Sequence, residues 1–321
     1  MISEQHVNNR YDVENISCRW LGGDERSLHS AEVVRVIIDA NIQNDDAASS
    51  LSNIKWQPGV LWKVVDRIRR DAPRAKLIVG PAGFFTVDLE SRLSEKIEDL
   101  QYYLAESGTN RDQVLRTLDE LGCLDRDLLI GLDSCEGKTL PLQTVIHLSG
   151  SPNATLDNTV LKIFATNSEQ DSLVGWKICV KTGKVPSELA QSRLISTEIG
   201  NILILVCNDG QLMRDKAVGK AIERTMKEHI LEMAGKESVP RYVLLATHWL
   251  KATRSPRSGT SVFIDVIKCV SKRWKEATVI PTMFTPHADL EKIPGSDYLP
   301  VIGREPSTVA TLLVVDKNLD D

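Results

Sequence analysis

At 321 residues, with 42% hydrophobic and 26% charged residues, the chain has the composition of a globular protein of one large or two small domains. A net charge of -5 argues against a nucleic-acid partner, and the short basic runs at Arg67–Arg70 and Lys251–Arg257 read as solvated faces. No apolar run approaches the roughly 18 residues of a membrane span and no signal-peptide core follows Met1; with six scattered cysteines that form no CxxC pair, this points to a reducing, cytoplasmic setting.

Residues 1–30 are polar and weakly patterned, and read as an N-terminal extension ahead of a single domain over 31–321. Val33 to Ile38 reads as a strand. Val60, Leu61, Val64, Val65 and Ile68 form the apolar stripe of a helix behind Pro58-Gly59. Ala75 to Val79 is a strand ending at Gly80-Pro81. Leu89, Leu93, Ile97, Leu100 and Leu104 mark a long helix, and Val114, Leu115, Leu118 and Leu121 a short one. Leu128 to Leu132 and Thr144 to Leu148 suit strands separated by a polar turn containing Pro141. Thr159 to Ala165 and Trp176 to Lys181 read as strands flanking a polar loop.

Gly200 to Val206 is a run of branched apolar residues, as in a strand buried on both faces. Beyond it, Val218, Ile222, Met226, Ile230 and Met233 recur at helical spacing. Arg241 to Ala246 is another buried strand. Phe263, Ile264, Ile267, Val270 and Trp274 suggest a helix, and Thr278 to Met283 and Thr311 to Val315 are the last strands. Alternating strands and helices with continuously apolar strands predict an α/β layered fold with helices outside.

Several motifs fail. Gly131 to Thr139 nearly spells a phosphate-binding loop, but a strand pattern rather than a helix follows it. GxSxG and GxGxxG are absent, and the six histidines form neither HxH nor HExxH, so no cofactor and no metal site is expected. Cys207 is more informative. It ends the Gly200–Val206 strand just before a helical pattern, where a turn and a helix N-terminus would activate a thiol. The same cysteine is also compatible with an inert thiol packed at a strand end. Asp209 reads as a cap for the following helix.

Three strand ends stand in a telling order: Leu77-Ile78-Val79-Gly80-Pro81-Ala82-Gly83-Phe84-Phe85, then Lys177-Ile178-Cys179-Val180-Lys181 followed by Val185-Pro186-Ser187-Glu188, then Ile204-Leu205-Val206-Cys207-Asn208-Asp209. Over residues 31–285 this order resembles the nitrilase, or carbon–nitrogen hydrolase, superfamily. The resemblance implies a four-layer αββα sandwich that forms homodimers or higher homo-oligomers. It implies a small amide or nitrile substrate whose carbon–nitrogen bond is cleaved through a thioester on Cys207. Lys181 would stabilise the developing oxyanion, with Lys184 as its rival, and Glu188 would support it. Asn208, Phe84, Phe85, Thr247, His248 and Trp249 would line the substrate site.

One position breaks the pattern. Ala82 stands where the family carries its general-base glutamate, and an alanine can move no proton. The chain is then a relative with lost or rerouted catalysis, an enzyme in which Glu136, Asp133 or Asp88 fills the role, or a Glu→Ala variant. The alternative function is a catalytically inactive module that binds a ligand or a protein.

Overall fold

The structure is a computed structural model that describes residues 16–22, 24–39, 57–88, 111–112, 114–116, 119, 125–136, 139–149, 159–166, 169–186, 193–214, 221–235, 240–247, 259–285 and 300–316. The runs of Val, Ile and Leu foreseen as buried strands collect into two sheets, making this a mixed α/β protein. The larger sheet runs β1 (Ile16–Trp20), β13 (Val309–Asp316), β2 (Val33–Asp39), β3 (Leu77–Val79), β5 (Asp127–Glu136), β6 (Thr139–Leu148) and β7 (Thr159–Leu161). Two short strands, β12 (Phe284–Thr285) on β2 and β4 (Phe85–Asp88) on β5, extend it. The smaller sheet runs β11 (Thr278–Thr282), β10 (Tyr242–Ala246), β9 (Gly200–Val206) and β8 (Leu194–Thr197), with the first three parallel.

The helices are α1 (Glu25–Ser30), α2 (Gln57–Asp71), α3 (Val174–Thr182), α4 (Ala221–Gly235) and α5 (Gly259–Arg273). Side-chain alternation splits the core into three clusters. Val34, Val36, Ile130 and Leu132 of the larger sheet share one with Val60, Leu61, Val64, Val65 and Ile68 of α2. Val33, Val79, Leu129, Val145 and Val160 of the same sheet share a second with Ile202, Ile204, Val206, Leu244 and Ala246 of the smaller sheet. The outward Leu203, Leu205 and Val243 share the third with residues of α3, α4 and α5. Each fully buried aliphatic side chain contributes about 1.5–3 kcal/mol of transfer free energy.

Residues 16–30, read from sequence as a loose lead-in, supply β1 and α1. β1 pairs antiparallel with β13, Trp20 Nε1 donates to Asp71 Oδ2 of α2 at 2.7 Å, and the Asp24 carboxylate caps α1. The strands expected at 128–132 and 144–148 are present and longer, β5 pairing antiparallel with β6, and Pro141 of the expected turn lies within β6. Their register slips between Ser134 and Glu136, opposite Leu140-Pro141, where proline has no N–H for the ladder. The described residues of the Gly131–Thr139 stretch, 131–136 and 139, are strand, with no helix start among them to hold a phosphate. The largest correction is Trp176–Lys181, which belongs to helix α3. The helix expected over 89–104 lies outside the described residues.

Candidate active site

Parallel strands present their carboxyl ends on one edge, where α/β proteins build sites. β9 and β10 are in register, Val206 opposite Ala246, so Cys207 and Thr247 leave the smaller sheet side by side. Cys207 is half-buried and has φ 49°, and among the described residues no other non-glycine residue has a positive φ. A left-handed conformation at a side chain of this kind costs on the order of 1–3 kcal/mol and persists only where the surroundings hold it. The seven residues Cys207–Met213 then form a 3₁₀ turn. The α-helix N-terminus expected directly behind the thiol is thus absent, and the charge near Cys207 comes from elsewhere.

That charge is Lys162, just past β7 and completely buried. Its ammonium donates to Gln143 Oε1 at 2.8 Å and to both oxygens of Glu169 at 2.7 and 2.8 Å, which uses its three N–H bonds. Glu169 in turn accepts from Gln143 Nε2, the Thr166 amide and the Thr166 hydroxyl. Burial acts against the lysine's charge. The nearby Cys207 sulfur, the Glu169 carboxylate and Asp209 outweigh it and hold the Lys162 pKa above its ordinary value. Burial would raise Glu169, but Lys162 and the hydrogen bonds from Lys162, Gln143 and Thr166 bring it down to about 2. The result is a buried ion pair, ionised on both sides at neutral pH, whose positive end is electrostatically coupled to the Cys207 sulfur.

Asp209 fixes this coupling in space. Its Oδ1 accepts the amides of Ile163 and Phe164 at 3.1 and 2.8 Å, directly after Lys162, and its Oδ2 pairs with Arg193 Nη1 at 2.9 Å. Arg193 also donates to Leu161 O in the larger sheet and Ile204 O in the smaller one. Both charged side chains are fully buried. Asp209 therefore makes no helix cap; it fastens the Lys162 segment to the Cys207 turn. Gly175 of α3 completes the support, since a Cβ there would lie 2.4 Å from the Lys162 carbonyl oxygen.

The remaining expected site residues are distributed unevenly. Lys181 lies exposed in the last turn of α3, and Lys184 is exposed two residues beyond it. Neither occupies a strand end, because the segment read as a strand is a helix that buries Val174, Gly175, Trp176, Ile178 and Cys179. Phe84 and Phe85 are buried edge-to-face, 5.0 Å apart, in the cluster shared with α2 rather than in the one between the sheets. Thr247 is buried with its hydroxyl donated to Thr282 O at 2.6 Å. Asn208 is half-buried in the 3₁₀ turn. Glu188, His248 and Trp249 lie outside the described residues. Ala82 is fully buried in the cluster between the sheets, against which Cys207 also packs.

Sequence reasoning missed Lys162, Glu169 and Arg193. A signal existed for the first: a single lysine inside the apolar run Val160-Leu161-Lys162-Ile163-Phe164, with a glutamate seven residues on. Among the described residues, no group of three or more His, Cys, Asp or Glu side chains could hold a metal ion, and no helix is long and apolar enough to cross a membrane.

No protein-family model matches the chain, and no curated protein sequence matches it. Among solved structures, it is similar to a carbon-nitrogen hydrolase from Helicobacter pylori G27, with 10% identity and a TM-score of 0.46, over 78% of this chain and 72% of that one. It is also similar to a cysteine-to-serine variant of N-terminal amidase, at 11% identity and a TM-score of 0.33 over 74% of this chain. A third similar structure is N-terminal amidase with a Gln-Val peptide, at 12% identity and a TM-score of 0.33 over 75% of this chain. The chain spans 52% and 54% of the length of these two amidases.

Proposed function

We propose that the protein is a thiol hydrolase of the nitrilase type, acting on a small amide, carbamoyl compound or nitrile from a four-layer αββα sandwich. The observation that carries this reading is Cys207 in a strained turn, electrostatically coupled to the buried Lys162–Glu169 pair. The strand order that carries the sequence resemblance supports it as well, with Lys162 and Glu169 taking the roles first given to Lys181 and Glu188. In this reading the Cys207 thiolate attacks the electrophilic carbon and forms a thioester or thioimidate. Lys162 favours the thiolate and the developing oxyanion through its charge, because its three N–H bonds are engaged by Gln143 and Glu169. Glu169 keeps the lysine ionised and fixed.

Iodoacetamide labelling resolved by peptide mass spectrometry tests the nucleophile. Cys207 is expected to react first near neutral pH, because burial raises the Cys18 pKa to about 11 and the Cys179 pKa to about 12. Labelling of Cys207 no faster than of the other cysteines would overturn the reading. A panel of small amides, with Cys207→Ala as control, then tests turnover. A reactive Cys207 without hydrolysis of any amide or nitrile, in the natural chain or after Ala82→Glu, would favour a ligand-binding module instead.

A further inference from the structure

A thioester enzyme needs a proton acceptor twice, once for the thiol and once for the water that releases the acyl group. Ala82 can serve neither step. The backbone packed against Ala82 is that of β5: a Cβ on Gly131 would fall 2.4 Å from Ala82 Cα and 2.3 Å from Gly83 N. Two residues along the same strand, and so on the same face, is Asp133, whose side chain is completely buried. Its direct cross-strand partner is Gln143, the residue that holds both Lys162 Nζ and Glu169. Directly opposed antiparallel residues place their Cβ atoms about 4.5–5.5 Å apart on one face. Asp133 thus stands between the Ala82 turn, against whose cluster Cys207 packs, and the Gln143 amide that supports the lysine coupled to Cys207.

We propose that Asp133 is the general base of this site, a carboxylate moved from the Ala82 turn to the adjacent strand. The inference rests on the thiol-hydrolase reading above. In acylation, the Cys207 S–H proton passes to the Asp133 carboxylate as sulfur bonds to the acyl carbon. The carbon–nitrogen bond then breaks, and the proton leaves with the amine. In deacylation, Asp133 takes a proton from water as the water oxygen attacks the thioester. The carbon–sulfur bond breaks, and the proton returns to the Cys207 sulfur. The missing side chain at Gly131 lets the Ala82–Gly83 backbone close onto β5, which brings the turn to the same face of the strand that carries Asp133.

The test uses p-nitrophenyl acetate as an acyl donor on the full chain, with acetyl-Cys207 followed by intact-protein mass spectrometry. In Asp133→Asn the initial acylation burst is expected to persist while deacylation slows by about 10²-fold or more. Glu introduced at Ala82 in the same variant is expected to restore turnover. As the proton acceptor for Cys207, Asp133 opposes the thiolate through its charge, so on this proposal the pH midpoint of Cys207 alkylation by iodoacetamide is expected to move down in Asp133→Asn. This readout also reports on a folded site without any turnover. Unchanged deacylation together with an unmoved alkylation midpoint would overturn the assignment of Asp133 and leave the thiol-hydrolase reading standing. Absence of both acetyl-Cys207 and p-nitrophenol release in the natural chain, Asp133→Asn and Ala82→Glu would overturn the thiol-hydrolase reading, and the assignment of Asp133 with it.

Discussion

Replacing Lys162 by methionine keeps the unbranched stem of the side chain and removes its charged end, leaving Glu169 as an uncompensated, largely buried carboxylate. Glu169 retains hydrogen bonds from Gln143 and Thr166 but loses its counter-ion. Its displacement from 4.5 to about 2 corresponds to on the order of 3 kcal/mol of stabilisation at neutral pH, and 22% side-chain exposure leaves that value little screened. Breaking one side of a buried pair costs about 3–5 kcal/mol in other proteins, so the two approaches agree. The sign of the pH dependence follows from the direction of the displacement. A carboxylate lowered on folding stabilises the protein fully above its unfolded value of 4.5, and that contribution is lost as pH falls toward 2. Urea unfolding of the natural chain and of Lys162→Met, followed from pH 7 down to pH 2.5, reads both quantities. The expected result is a loss of about 3 kcal/mol at pH 7 that narrows as pH falls through 4.5. Adding Glu169→Gln to Lys162→Met is expected to recover a large part of the loss. A loss below about 1 kcal/mol at pH 7, or a gap between the two proteins that does not change with pH, would refute the claim that this pair carries the stability of the site.

Asp209→Asn removes half of the fully buried pair with Arg193 and is expected to cost about 3–5 kcal/mol in denaturant unfolding, with slower alkylation of Cys207 because the Lys162 segment is no longer held to its turn. Gly131→Ala brings a methyl group against the Ala82 backbone and is expected to destabilise by about 2–3 kcal/mol. Gly183→Ala meets no atom within 4 Å and strains only a left-handed φ of 67°, for about 1 kcal/mol. Equal midpoints for these two variants in thermal unfolding would contradict the close approach of β5 to the Ala82 turn.

The sequence was most legible where burial is two-sided. The runs of β9, β10 and β11 contain almost nothing but branched and apolar residues, and such segments have few alternatives to a buried strand. Cys207 was found because it ends one of these runs. Lys181 stands out in the sequence by its offset from Pro186 and Glu188 at the end of a segment read as a strand, but that segment is a short helix that buries Trp176, Ile178 and Cys179 and leaves Val180 52% exposed. Lys162 was passed over because β7 is only three residues long and a lysine in an apolar run violates the expectation that charges stay in water. It becomes intelligible only with its partners, and those come from β6, from Glu169 and from the Cys207 turn, which no local pattern connects. The role of Asp209 was hidden for the same reason, since the amides it binds lie 46 and 45 residues earlier.

The bond from Asp209 to the Ile163 and Phe164 amides ties the end of an edge strand of one sheet to the turn after a central strand of the other, and Arg193 spans the same gap. These two amide protons are therefore protected by the joining of the sheets and not by the ladder of either one. Their exchange with solvent gauges how often the two halves of the molecule part. Each such parting takes the lysine away from the thiol, so the lifetime of the competent site is set by sheet docking rather than by the stability of either sheet alone.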